Sequence, residues 1–393
     1  MAVFSESPLA IDRNGTEPSA TSETYSTGIL PSQTLRECIR DRIIGSLLDP
    51  LGEDQIQPAS IDLRLSGRAF RVRASFLPGE RYTVKEKIDV FGMHEIDLRE
   101  GAVLERGCVY IVPLQEALRL PRRLYGVANP KSSTGRLDVF TRLITDHGTE
   151  FDRVEEGYKG PLYAEISPRT FSVVVRQGSR LLQLRLRRGT PRPTDAMARR
   201  LQEEVGLIGT PEIAEGELAK RIHGGVPVSV DLKGQGDRAL VGYKAKAHAG
   251  LVDVDRVGGY AIDDYWDPIH ANAGRTLILD PNAFYILASK EAVTVPPDYA
   301  AEMAPFNPLH GEFRVHYAGF FDPGFGFTAA GGEGSRAVLE VRSYEVPFLL
   351  EDGQIVGKLL YERLTATPDR IYGQNLGSNY QRQGLKLSKH FRL

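Results

Sequence analysis

Hydrophobic and polar positions in this chain alternate more often than they recur at helical spacing. Phe171, Val173 and Val175 alternate with small or polar neighbours, Gln177-Gly178 turns, and Leu182, Leu184 and Leu186 then alternate with Gln183, Arg185 and Arg187. A period of two on both sides of a glycine turn predicts a half-buried hairpin. The layout returns around Asp352-Gly353, a stronger turn signal because both residues tolerate positive φ. With 40 glycines and 24 prolines punctuating short runs of this kind, the chain is predicted to be mainly β, folded as compact barrels or sandwiches. Helices are accessories. One is predicted over Leu35 to Leu48, and two more at Thr194 to Val205 and Thr210 to Ile222. Each of the last two opens on a threonine suited to N-capping, and Pro211 sits at a first-turn position that needs no amide donor.

The motifs also repeat in order. Ser60-Ile-Asp-Leu63 returns as Ser229-Val-Asp-Leu232, Gly135 as Gly311, Asp146-His-Gly148 as Asp322-Pro-Gly324, Glu165 as Glu340 and Gly178 as Gly353, each about 175 residues further on. Five anchors in one order indicate a tandem duplication of a unit of about 170 residues, within the usual size of a domain. The expected organisation is a disordered tail over 1–28, a first β domain over 29–190, a partly helical connector over 191–225, and a second β domain over 226–393.

Composition narrows the classes. Lys plus Arg (49) nearly balance Asp plus Glu (51), so no nucleic-acid or membrane partner is indicated. The local basic run from Arg180 to Arg192 reads equally well as a solvated strand face or a phosphate patch. With only Cys38 and Cys108, no disulfide framework is implied and a reducing cytoplasm is the natural compartment. Neither a signal peptide nor an 18-residue apolar span is recognisable, which argues against export or membrane insertion.

The candidate chemistry centres on Ser132-Ser-Thr-Gly-Arg136. Two hydroxyls, a flexible backbone at Gly135 and the forked guanidinium of Arg136 within five residues suit a polyphosphate. Asp322-Pro-Gly-Phe325 is a favourable tight turn whatever its function, and Asp146-His-Gly148 is its first-copy counterpart. Glu165 and Glu340 each sit in an apolar strand-like run, where partial burial raises a carboxyl's pKa toward general acid and base work.

Taken in order, Pro58-Ala-Ser-Ile-Asp-Leu-Arg-Leu65, Ser132–Arg136, Pro161-Leu-Tyr-Ala-Glu-Ile166, the Gly178 turn and Gln183 resemble the dCTP deaminase and dUTPase superfamily of nucleotide-pool enzymes. The resemblance covers most of the chain. It implies a distorted jelly-roll (β-clip) barrel in each unit. The implied activity is hydrolytic deamination of dCTP to dUTP and ammonia, within pyrimidine deoxynucleotide synthesis. Ser132, Ser133, Gly135 and Arg136 would hold the triphosphate, with Ser132 also helping to activate water. Asp322 and Gly324 would shape the base and sugar pocket, and Glu340 or Glu165 would act as the acid/base. The C-terminal Tyr380 and Gln383 match a tail that closes over the nucleotide, while Asn379 stands where a lysine often precedes the tyrosine, leaving Lys386 or Lys389 as substitutes. Zinc deaminases carry His-x-Glu and Pro-Cys-x-x-Cys ligands, and this chain has neither. Magnesium is expected only with the triphosphate. The resemblance further implies a homo-oligomer and dTTP feedback, for which no residue here stands out. dUTP diphosphatase activity, alone or combined, and a catalytically inactive nucleotide-binding regulator are the alternatives.

The copies differ where the chemistry would be. Pro308-Leu-His-Gly-Glu312 replaces both hydroxyls and puts a carboxylate in place of the arginine, whereas Asp322-Pro-Gly-Phe325 and Leu339-Glu-Val341 keep the family pattern better than the first copy does. In the family, sites form between neighbouring units. Copy one is therefore expected to supply Ser132, Ser133 and Arg136, and copy two the pocket and Glu340. The rival arrangement stacks like copies of different chains and uses Glu165.

Overall fold

A computed structural model describes residues 25–392, apart from 190–193, 211, 214, 237–238, 305–312, 316–318, 328–333, 344 and 374–383. The chain is mainly β, with a few short helices. In the first half, Gly28–Ile29, Leu182–Arg188, Leu124–Pro130 and Arg153–Val154 line up in one sheet, with Ile61–Leu63 also on Leu182–Arg188. A second sheet runs Gly92–Asp97, Arg68–Val72, Val109–Arg119, Lys159–Pro168, Val139–Thr145. The second half has an antiparallel sheet in the order Trp266–His270, Leu240–Ala245, Phe284–Val293, Ser335–Ser343, Phe313–Val315, and another in the order Val226–Ser229, Ile355–Arg363, Tyr299–Ala304, Phe320–Phe321. Glu165 and Glu340 thus occupy like places, each on a strand flanked by two antiparallel neighbours.

One apolar core lies within residues 198–361. A larger one is built on residues 30–186 but also takes in Trp266, Phe284, Leu387 and Phe391 from the second half. Phe391 packs edge-on to Trp266, with ring centroids 5.7 Å apart, and beside Tyr265 and Phe171. Val173–Val175 pairs in parallel with Val252–Asp253. The halves are therefore joined by apolar packing and by a shared sheet.

Several expectations are corrected. Val173–Val175 and Leu182–Arg188 do turn at Gly178, whose φ is +88°, but they do not pair with each other. The first joins Ala102–Leu104 and the second joins Leu124–Pro130. The Gly353 turn (φ +79°) likewise separates Phe348–Glu351 and Ile355–Arg363, which pair with Thr276–Leu279 and with Val226–Ser229 and Tyr299–Ala304. Nor is Leu182–Arg188 half-buried: Gln183, Arg185 and Arg187 are as buried as the leucines between them. Arg185 and Arg187 are neither a solvated face nor a phosphate patch. Arg185 donates to Ala301 O, Phe321 O and Asp322, and Arg187 pairs with Glu302 and Glu362, all in the second half.

The first predicted helix is shorter, Ser32–Arg40, because Arg42 takes φ +59° and Ile44–Ser46 pairs with Val109–Arg119. Asp195–Val205 matches its expectation, and the Thr194 hydroxyl accepts from Met197 N. The third runs only Glu215–Lys220, and the expected first-turn Pro211 lies outside the described residues. Val84–Phe91 is a helix that periodicity passed over, although Thr83 and Glu86 form a capping box readable in the sequence. Of the tail read over 1–28, the last residues are held: Tyr25 N donates to Thr365 O, and Gly28 pairs with Arg188.

Candidate active site

Strand Leu124–Pro130 ends at Lys131, and Ser132–Gly135 forms one helical turn before strand Val139–Thr145. Thr134 N and Gly135 N donate to Lys131 O, and Arg136 N donates to Ser132 O. Asp138 closes the turn at φ +55°, a left-handed conformation that a short polar side chain tolerates, with its N–H on Gly135 O at 2.8 Å. Ser133, Gly135 and Arg136 are buried and Ser132 is half-buried. Lys131 Nζ pairs with Asp62, from the first copy of the repeated Ser-x-Asp-Leu motif.

Glu340 reaches this turn from the other half of the same chain. A Cβ built on Gly135 would lie 2.5 Å from Glu340 Oε2, so the glycine leaves the space the carboxyl occupies. Burial pushes the Glu340 carboxyl up to about 8; Arg136 beside it draws the value down and Asp138 pushes it up. A carboxyl in that range can both take and return a proton near neutral pH.

Glu165 stands elsewhere, with a different partner. It sits directly across the strand pair from Arg142, which donates to Glu165 Oε1 from Nη2 at 2.5 Å and from Nε at 3.2 Å. The guanidinium also donates to Ser75 Oγ and stacks 3.4 Å from the Phe151 ring centroid. Its described partners all lie in the first half, away from the Ser132–Arg136 turn.

Asp322 and Gly324 form the expected tight turn, with Phe325 N donating to Asp322 O. Gly324 takes φ +92°, and a side chain there would meet Tyr372 O at 2.9 Å. The Asp322 side chain accepts from Arg185 Nη2 at 3.1 Å; burial raises its pKa and Arg185 opposes the rise. The counterpart Asp146 accepts Val84 N at the start of a helix. Tyr380, Gln383 and the Pro308–Glu312 stretch lie outside the described residues.

The chain end closes over the turn. Ser388 Oγ donates to Ser133 O at 2.8 Å, and Arg136 Nη1 donates to Lys386 O at 3.0 Å. Between this segment and the turn is a cleft of about 180 Å³ whose lining includes Asp62, Lys131, Ser133, Arg180, Asp255 and Lys389. Burial, then the nearby Lys131, lowers the Lys389 ammonium pKa, while Asp62 and Asp255 oppose the fall. Of the cleft residues, Asp62 belongs to the repeated Ser-x-Asp-Leu motif, Arg180 opens the basic run read as either a solvated face or a phosphate patch, Lys389 is the expected substitute contact, and Lys131 is the one the motifs do not single out. The position of Lys131 directly before the motif was the available signal for it.

Comparison with known proteins places these residues in context. The model for the 2'-deoxycytidine 5'-triphosphate deaminase (DCD) N-terminal domain matches residues 26–190, and that for the C-terminal domain matches residues 194–391. A curated relative named dCTP deaminase, dUMP-forming, from Halobacterium salinarum is 33% identical over 126 residues, which is 31% of this chain and 60% of the relative. A dCTP deaminase from Metallosphaera sedula is 29% identical over 146 residues, 35% of this chain and 73% of the relative. The crystal structure of 2'-deoxycytidine 5'-triphosphate deaminase from Agrobacterium tumefaciens superposes with a TM-score of 0.82 at 54% identity, covering 88% of this chain and 100% of that one.

Proposed function

The chain belongs to the dCTP deaminase family, and from that membership we propose that it hydrolyses dCTP to dUTP and ammonia at a site assembled from both halves of one chain. The observation that carries the choice of residues is the placement of Glu340: buried against Gly135 beside Arg136, with its carboxyl pushed up to about 8. The triphosphate, with its magnesium, lies along Ser132, Ser133 and Arg136, and Lys131, Arg180 and Lys389 add positive charge at the neighbouring cleft. Glu340 takes a proton from water as the oxygen attacks C4 of the cytosine. It passes that proton to N3, takes the second proton from the added hydroxyl, and delivers it to the amine as the C4–N bond breaks. One water is consumed and one ammonia leaves, with no net change on the glutamate. Ser132, half-exposed on the turn, would hold the water or the α-phosphate.

Glu165 is given no comparable role, because Arg142 donates twice to its Oε1 and its described partners do not include the Ser132–Arg136 turn. The two halves are read as a duplicated jelly-roll unit in which only one of the two possible acid/base residues was kept for chemistry.

Product analysis with dCTP and Mg²⁺, following ammonia, dUTP, dUMP and pyrophosphate together, tests the reaction, and two variants test the site. Glu340→Gln is expected to lower kcat by about 10²–10⁴-fold, and Glu165→Gln to leave it within a few-fold. An active Glu340→Gln enzyme would refute the assignment. dUMP with pyrophosphate as the main products would show that dUTP is cleaved onward.

A further inference from the structure

Glu340 is one corner of a square of buried charge. On strand Ser335–Ser343, Glu340 and Arg342 lie two residues apart and so face the same side. On the facing segment of the first half, Arg136 and Asp138 are also two residues apart. The pairs cross, with Glu340 beside Arg136 and Arg342 on Asp138. Arg342 Nη2 donates to Asp138 Oδ2 and to Thr170 Oγ1, the latter at 2.8 Å, while Thr170 Oγ1 donates to the same Asp138 oxygen at 2.5 Å. Arg342 Nη1 donates to Asn282 O at 2.5 Å. Asp138 is fully buried and Arg342 nearly so.

We propose that Asp138 and Arg342 are a positioning pair for the deamination, holding Glu340 against the Ser132–Arg136 turn and setting the pH at which its carboxyl changes charge. The proposal rests on the reading of Glu340 as the acid/base. A buried ion pair is poor evidence for stability in itself, since an apolar pair of similar volume often serves as well. Its placement supplies a reason of another kind. The charged groups of the first half that act on Glu340 are Arg136 and Asp138; its strand neighbour on Phe284–Val293 is the apolar Ile286, and on Phe313–Val315 the residue in register with Arg342 is Arg314. Asp138 is therefore the negative charge that opposes ionisation of Glu340, and Arg342 determines how much of that charge Glu340 feels. With the pair intact, the two charges offset each other at the glutamate.

The test is the pH dependence of kcat for dCTP deamination in the full-length enzyme, on the acid limb where Glu340 loses its proton. Asp138→Asn removes a like charge and leaves Arg342 uncompensated, so the limb moves to lower pH by about one unit. Arg342→Gln leaves the Asp138 carboxylate uncompensated, and the limb moves to higher pH by a similar amount. Arg342→Lys keeps the charge and keeps the limb at the wild-type pH. Opposite shifts for the two neutralising variants are the expected result. Equal loss of activity in both with an unmoved limb, or shifts in one direction, would reduce the pair to a structural clamp and overturn the proposal. Should the neutralising variants fail to fold, Arg342→Lys decides, since a limb that moves with the charge retained is incompatible with the proposal. Glu340→Gln is measured alongside: if it is active, the reading of Glu340 has failed; if it is inactive while the limbs stay fixed, only the role of the pair has failed.

Discussion

A carboxyl that is to serve as base and acid must change charge near the working pH, and the burial that raises the pKa of Glu340, the proposed acid/base, weakens the fold as pH rises toward that value. Its pKa is about 8 in the folded chain against an ordinary 4.5. Between those values the native state keeps a proton that the unfolded state has released. The native state binds more protons there, so this group's contribution is fully present below about 4.5 and is lost as pH rises through about 8. Glu340→Gln cannot ionise and escapes the loss. Thermal melts should therefore show the variant close to wild type near pH 4.5 and several degrees above it near pH 9, even as its activity is expected to fall. A variant melting below wild type at the higher pH would mean that the ionised carboxylate is well solvated in the native state. The residues of this argument were partly legible beforehand. The Ser132–Arg136 run and the Leu-Glu-Val strand carry their chemistry in residue type and spacing. Asp138 and Arg342 do not, because they are 204 positions apart and only the docking of the halves makes them partners.

At the scale of elements, glycines with positive φ announced where the chain reverses but not which strands then pair. Gly178 and Gly353 both turn the chain, yet in each case the flanking strands go to different partners. A period of two likewise reports one buried face. It cannot report that the other face of Leu182–Arg188 is covered by residues more than a hundred positions away, which is why Arg185 and Arg187 read as surface. The chain end shows the same limit in a useful form. Strand Phe391–Arg392 pairs with Tyr260–Ala261, Phe391 fills an aromatic cluster, and the Ser388 hydroxyl is thereby set on Ser133 O in the Ser132–Arg136 turn. Ser388 Oγ also lies 2.9 Å from His390 Nδ1, and His390 Nε2 lies 2.8 Å from Val254 O. Ser388→Ala removes the hydroxyl's contacts with Ser133 O and His390 Nδ1, of which the first, worth about 1 kcal/mol, ties the turn to its cover. The expected result is a KM for dCTP raised about fivefold with kcat and melting temperature little changed; unchanged KM would show that the turn keeps its shape without the chain end.

At the scale of the molecule, the decisive feature is that Glu340 and the Ser132–Arg136 turn, the proposed acid/base and phosphate site, meet within one chain. The halves meet through Arg185 and Arg187 on Asp322, Glu302 and Glu362, through Asp138 on Arg342, and through an apolar core that takes residues from both. Removing one member of such a buried set leaves a charge without its partner, so the contact favours one docking of the halves and disfavours others. If that docking is the one in which the enzyme works, each site is complete within a chain whatever the number of chains in the assembly. Arg136→Gln and Glu340→Gln, each inactive alone, should then stay inactive when co-expressed or unfolded and refolded together, because every chain carries one damaged half of its own site. Sites built between chains would give the opposite result: a mixed assembly would join an intact Arg136 to an intact Glu340 from its neighbour, and deamination would return. Ammonia release by the co-refolded mixture, with each variant refolded alone as control, separates the two arrangements. It also decides between the site at Glu340 and the stacked-ring alternative, in which Glu165 of one chain would serve the Ser132–Arg136 turn of another and Glu340→Gln would have been active from the start.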